Sequence, residues 1–389
     1  MSDLLAPTGI HPTQQRPIYP ALDAVRFLAA VLVMVYHLIF FHNGDIPDAS
    51  HTVARFWRFG WVGVEIFFCL SGLVIAYSAE QAAAASFLVN RIVRLAPTIW
   101  ICATVTLIAV VTLWHPADLR QLLTDYLWTV ILRPAGRHID PVYWTLTVEI
   151  SFYAVVCFML WWSTFRMLLR VMVIIGAISV AFNSILALSP ELHEWLPGAT
   201  SLAIEASRSH TSRLLLLRHG CFFALGMLIW SLKNKSRPKY CIALVAFCAG
   251  GGTMEVWYEA QTQLTNTPAL HYSPLLPVLA WLAGLSMIFL SRLAPPAHLR
   301  GGIDGVSVLR YLGLLTFPLY LIHNNVGLAF ENALSMHGSA AATLAAGCAV
   351  VLLSILVTSF VEPPFARSFK ALLKRMVLKA APLPLPPVH

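Results

Sequence analysis

Lysine is scarce in this chain: there are six in 389 residues, and all lie in "LKNKSRPK" (232–239) or "FKALLKRMVLK" (369–379). Charge of either sign is scarce too, at 11% of residues against 58% hydrophobic, which is too little polar surface to cover a soluble globule of this length. The net charge of +8 is not gathered onto a basic face studded with aromatics, so a nucleic-acid partner is not expected. The cysteines at 69, 102, 157, 221, 241, 248 and 348 are odd in number, scattered singly through apolar runs, and show no C-x-x-C spacing. That pattern argues against a disulfide framework and against a metal site. No internal repeat is visible, and low complexity is confined to the ending "APLPLPPVH", read as a disordered extension.

What the chain has in quantity is apolar runs of about 20 residues, enough to cross a hydrocarbon core of about 30 Å as helix. They fall near 21–41, 60–80, 95–114, 142–162, 167–188, 213–232, 240–258, 274–291, 310–331 and 340–361. The expected fold is therefore all-α, a polytopic membrane bundle of about ten transmembrane helices. Residues 1–20 read as a cytoplasmic N-terminal segment, 21–365 as the membrane domain, and 366–389 as a basic, then proline-rich, cytoplasmic tail. With both termini cytoplasmic, Arg91, Arg94, Arg166, Arg170, Arg292, Arg300, Arg310 and every lysine fall on the inside, as the positive-inside rule requires. The first run lacks a small-residue cleavage pattern and reads as a retained anchor. Residues 118–134 alternate at helical spacing but are too short and charged to cross, which suggests an interfacial helix. Residues 189–212, polar and carrying Pro190 and Pro197, read as an outside loop.

The stretch "LDAVRFLAAVLVMVYH" (22–37) is apolar enough for lipid yet keeps Asp23, Arg26 and His37. Charged side chains inside a span cost several kcal/mol and concentrate where they face protein or water. Arg26 and His37 are eleven positions apart, which is roughly 16 Å of helical rise. Arg91 and Arg94 share a helix face at three-residue spacing, and paired guanidiniums suit phosphate oxygens. Counted from the ends of their spans, His37, Glu149 and His323 all fall in one outer-half layer. Imidazole titrates near neutral pH, and a carboxylate can hold its tautomer or stabilise its cation. This layering predicts an anion held below and proton transfer above. A membrane transporter or proton-coupled exporter of a small anionic or sugar substrate is the alternative, since buried Arg, His and Glu also build relays. The repeat-built architecture common in transporters is missing.

Taken in order, "LDAVRFLAAVLVMVYH", "GVEIFFCLSGLVI", "NRIVRLAP", "YWTLTVEISFY" and "FPLYLIH" make the chain resemble the integral membrane acyltransferase-3 family, from about Leu22 to Lys370. The resemblance implies acyl transfer from cytoplasmic acyl-CoA, with acetyl-CoA favoured, to a hydroxyl of a surface polysaccharide or lipid-linked glycan, in the bacterial inner membrane. It implies Arg26, Arg91 and Arg94 as donor-binding residues and His37 as the residue of the transfer chemistry. His37 serves either as general base on the acceptor hydroxyl or as covalent acyl carrier. Glu149 is expected to support it, and His323 is a further catalytic candidate. The remaining partner is membrane lipid, and a homo-oligomer stays open.

Overall fold

The computed structural model describes residues 19–41, 57–233, 238–266, 273–293, 304–334 and 340–380. The N-terminal segment up to residue 18, the 381–389 extension and part of the 232–239 lysine segment lie outside the described residues. No β-strand occurs among the residues described, and nine helical stretches there are long and apolar enough to cross a membrane.

In chain order the first helices are α1 (Pro20–Tyr36), α2 (Gly63–Ala79), α3 (Ala84–Ala109), α4 (Leu119–Val130), α5 (Trp144–Trp162) and α6 (Phe165–Ala187). Short helices α7 (Ser189–Leu192), α8 (Pro197–Arg208) and α9 (His210–Leu214) lead to α10 (Gly220–Ser231), α11 (Cys241–Asn266) and α12 (Leu275–Leu293). The chain closes with α13 (Gly305–Ile322), α14 (Asn325–Ala333), α15 (Ala340–Leu356) and α16 (Glu362–Ala380). α4 is the short helix expected between the third and fourth spans, and Asp118 caps it by accepting from Gln121 N at 2.9 Å. Phe158, Trp161, Trp162, Ile174 and Leu290 are exposed, as side chains that face lipid must be.

Several expectations need correction. Residues 189–212 are helical rather than a loop, because Pro190 and Pro197 occupy first-turn positions of α7 and α8. Proline's missing N–H costs nothing there, so it starts a helix instead of breaking one. The run at 213–232 is not one continuous span: its helix begins only at Gly220 and has 12 residues, or about 18 Å. Every residue of α10 is buried, so it is a core helix rather than a lipid-facing one. It runs parallel to α2, with Phe68 against Phe223 at one level and Tyr77 against Trp230 further along. A Cβ on Gly72 or Gly226 would collide with the carbonyl of Phe223 or of Cys69; only glycine permits that backbone approach.

The third correction is at 310–331, where the helix breaks. α13 ends at Ile322, and α14 starts afresh at Asn325, leaving His323 and Asn324 at the junction. By contrast the last span does not stop at 361. It passes through a π-helical turn, Val357–Val361, directly into α16. α16 lies along α3: Thr98 donates to Glu362 at 2.7 Å, and Trp100 packs edge-on against Phe365 and Phe369.

Candidate active site

α1, α2, α3, α5 and α13 surround one cavity of about 870 Å³, part of which is open to solvent. Arg26 enters it from α1, Arg91 and Arg94 from α3, Ser71 from α2, Glu149 and Tyr153 from α5, and Thr316 and Tyr320 from α13. The three guanidiniums expected to bind an anion thus converge, although they come from two helices distant in sequence. Asp23, which the apolar run made puzzling, is 4% exposed and sits between Arg26 and Arg310. It accepts from Arg26 at 3.4 Å and from Arg310 at 3.3 Å. A Cβ on Gly313 would come within 2.5 Å of the Asp23 carboxylate, so the glycine makes room for this bridge. Arg91 stands over the Phe87 ring at 5.6 Å, and its Nε is buried without a hydrogen-bond partner.

With Arg26, Arg91 and Arg94 set against Glu149, the ionisable lining of the cavity is positive on balance, which favours an anion. Glu149 accepts from the hydroxyls of Ser71 and Tyr153. The expectation that it shares a level with the histidines fails. Tyr320 donates to Thr145 at 3.1 Å, which places these two side by side. Glu149 is then about 6 Å down α5 from Thr145 and His323 about 4.5 Å up α13 from Tyr320. The carboxylate therefore belongs to the arginine chamber.

The structure does bring His37 and His323 together. His37 opens a π-helical turn, His37–Phe41, at the end of α1; such widened turns recur at functional sites. Its Nδ1 lies 3.0 Å from Val33 O and 3.1 Å from His323 Nε2, and the ring centroids are 4.9 Å apart. His323 is fully buried, with Nδ1 2.7 Å from Tyr320 O. These partners assign the tautomers. A carbonyl can only accept, so His323 Nδ1 carries the proton and Nε2 presents a lone pair. His37 Nδ1 then faces two acceptors and must carry a proton itself, which makes Nε2 the basic nitrogen of the neutral His37 ring.

Asp140 escaped the sequence reading. It is fully buried and accepts from Asn325 N at 2.8 Å, Asn324 Nδ2 at 3.0 Å and Val142 N at 3.1 Å. Asn325 Nδ2 returns a bond to Ile139 O at 2.7 Å. One carboxylate thus caps the start of α14 and the turn before α5, and holds the helix break that carries His323. Burial pushes this carboxyl up to about 6, against the pull of its N–H donors. The available signal was "DP" in "IDPVYW", an N-cap aspartate before a first-turn proline.

The fold and the site together define an all-helical membrane protein in which three arginines converge on one cavity and two imidazoles pair beyond its end. The sequence matches the acyltransferase domain family over residues 19–359, and the chain belongs to that family. It is similar to the peptidoglycan O-acetyltransferase OatA of Listeria monocytogenes, with 24% identity over 338 residues, covering 79% of this chain and 49% of that protein. The chain therefore spans about half the length of this relative. No solved structure matches it.

Proposed function

We propose that this membrane acyltransferase moves an acetyl group from acetyl-CoA, entering at the cytoplasmic face, to a hydroxyl of an extracytoplasmic or lipid-linked saccharide. The observation that carries this reading is the convergence of Arg26, Arg91 and Arg94 on a cavity whose far end abuts the His37–His323 pair. Guanidinium forks suit the phosphates of a nucleotide thioester, and the apolar lining from Val64, Phe67, Leu70 and Phe317 suits the rest of its pantetheine arm. The name of the Listeria relative supports an acetyl group and an oxygen acceptor. The lysine and arginine distribution supports a cytoplasmic donor side, and the bacterial source of the Listeria relative supports a bacterial cytoplasmic membrane.

In this mechanism His37 Nε2 takes the proton from the acceptor hydroxyl as its oxygen attacks the thioester carbonyl carbon. The C–O bond forms, the C–S bond breaks, and the proton passes from imidazolium to the departing thiolate, so ester and free CoA are the products. His323 holds Nδ1 of His37 and spreads the charge of the transient cation. Glu149, hydrogen-bonded to Ser71 and Tyr153, balances the arginines and shapes the donor chamber.

The test is release of free CoA from acetyl-CoA by the detergent-purified protein, with a peptidoglycan fragment as acceptor probe. Detergent abolishes compartments, so CoA release separates group transfer from transport. Mass spectrometry of glycans made with and without the protein identifies both the group added and its acceptor. Activity that survives His37→Ala removes the mechanism.

A further inference from the structure

The donor cavity and the histidine pair are neighbours without being continuous. Along α13 the lining runs through Gly313, Thr316, Phe317 and Tyr320, and it stops one turn short of His323. Tyr320 is 8% exposed. Its hydroxyl donates to Thr145 Oγ1 at 3.1 Å, and its ring meets Phe67 edge-on at 5.4 Å. On the far side the same ring lies 5.6 Å from the ring of His323. One side chain therefore stands between the cavity and the histidines, tied to α5 by a hydrogen bond and to α2 by an aromatic contact.

We propose that Tyr320, latched to Thr145, is the partition between the donor cavity and the histidines, and that it limits the size of the acyl group handed across. This rests on the acyl-CoA reading above. A thioester whose phosphates sit among the arginines reaches His37 along α13 by passing this ring. Beside Tyr320 the lining is made by Phe67 and Thr145, so each methylene added to the acyl group must be housed against two aromatic rings. A single neutral hydrogen bond is a weak latch, which lets the phenol turn aside once the chamber is filled. Until then it keeps water on the histidine side away from the thioester.

The experiment compares wild type with Tyr320→Ala, Tyr320→Phe and Thr145→Val, using acetyl-, propionyl- and butyryl-CoA with a peptidoglycan fragment as acceptor, and acetyl-CoA without acceptor. CoA affinity is measured for each. The expected result is a butyryl-to-acetyl ratio of kcat/KM raised by about tenfold or more in Tyr320→Ala, the scale of methylene discrimination by an apolar wall. Tyr320→Phe and Thr145→Val release CoA faster than wild type in the absence of acceptor. An unchanged chain-length ratio in Tyr320→Ala beside an active wild type overturns the proposal alone. Should Tyr320→Ala not fold, Tyr320→Phe with wild-type acceptor-free release overturns it. Loss of transfer with all three donors in variants that still bind CoA also overturns it, by placing the phenol in the chemistry. A wild type that releases no CoA from any donor removes the donor reading and this inference together.

Discussion

His323 presents Nε2 to Nδ1 of His37 at 3.1 Å while its own Nδ1 is held 2.7 Å from the Tyr320 carbonyl. The second imidazole thus orients the first. Removing His37 is expected to lower kcat for acetyl transfer by about 10²–10⁴-fold, the usual span for a lost general base, with CoA affinity intact. His323→Ala is expected to cost less, and to fall on kcat rather than on the KM for acetyl-CoA. Steady-state kinetics of the two variants checks both.

Arg91 and Arg94 face the same cavity as Arg26. Hydrogen bonds to charged groups are worth about 1.5–3 kcal/mol each, so Arg91→Ala and Arg94→Ala are each expected to weaken CoA binding by about tenfold or more. Titration calorimetry with CoA reads this directly. Binding of pantetheine, which lacks the nucleotide, is expected to change little.

The carboxyl of Asp140 has a pKa raised in the folded protein to about 6 from 3.8, so between those values the native state holds more proton than the unfolded one. Its contribution to stability is therefore fully present below about 4 and is lost as pH rises through about 6. Wild type is expected to gain thermal stability relative to Asp140→Asn as pH is lowered from 7 to 5. Asp140→Ala removes the side-chain acceptor of the Asn325 and Val142 N–H groups, at about 1–3 kcal/mol for each buried group left unsatisfied, while Asn324 keeps its bond to Asn325 Oδ1. Thermal midpoints across that pH range decide the sign.

Gly226 lies where a methyl group would collide with the carbonyl of Cys69 on α2. Gly226→Ala must separate two helices whose contact is backbone on backbone, and it is expected to cost about 1–3 kcal/mol. A lowered unfolding temperature in detergent is the measurement.

Lys233 and Lys239 flank the connection from α10 to α11. A membrane-impermeant amine label applied to intact cells is expected to leave both untouched, and to modify them once the inner face is exposed. Labelling from outside reverses the assigned topology.

Much of the helical framework was legible because the length of an apolar run is written locally: α1, α2, α5, α6 and α12 begin and end within a few residues of the runs that announce them. The breaks were not legible. The one at His323 and Asn324 is held by Asp140, 184 positions from Asn324, and no window of sequence around 323 contains that information. Arg26, Arg91 and Arg94 could be read as an anion clamp because charge in lipid is conspicuous. Glu149 was misplaced because counting residues from Pro141 gives a distance along one helix but not its register against α13, which the Tyr320–Thr145 bond reveals. The histidine pair was visible as two residues at similar depth, but their contact depends on how α1 and α13 pack.

The bond from Thr98 to Glu362 joins α3 to a residue 264 positions later. The ribosome therefore releases the arginine-bearing helix long before its brace exists. A chain stalled ahead of α16 would therefore hold both imidazoles in the membrane while α3 still lacked the helix that braces it.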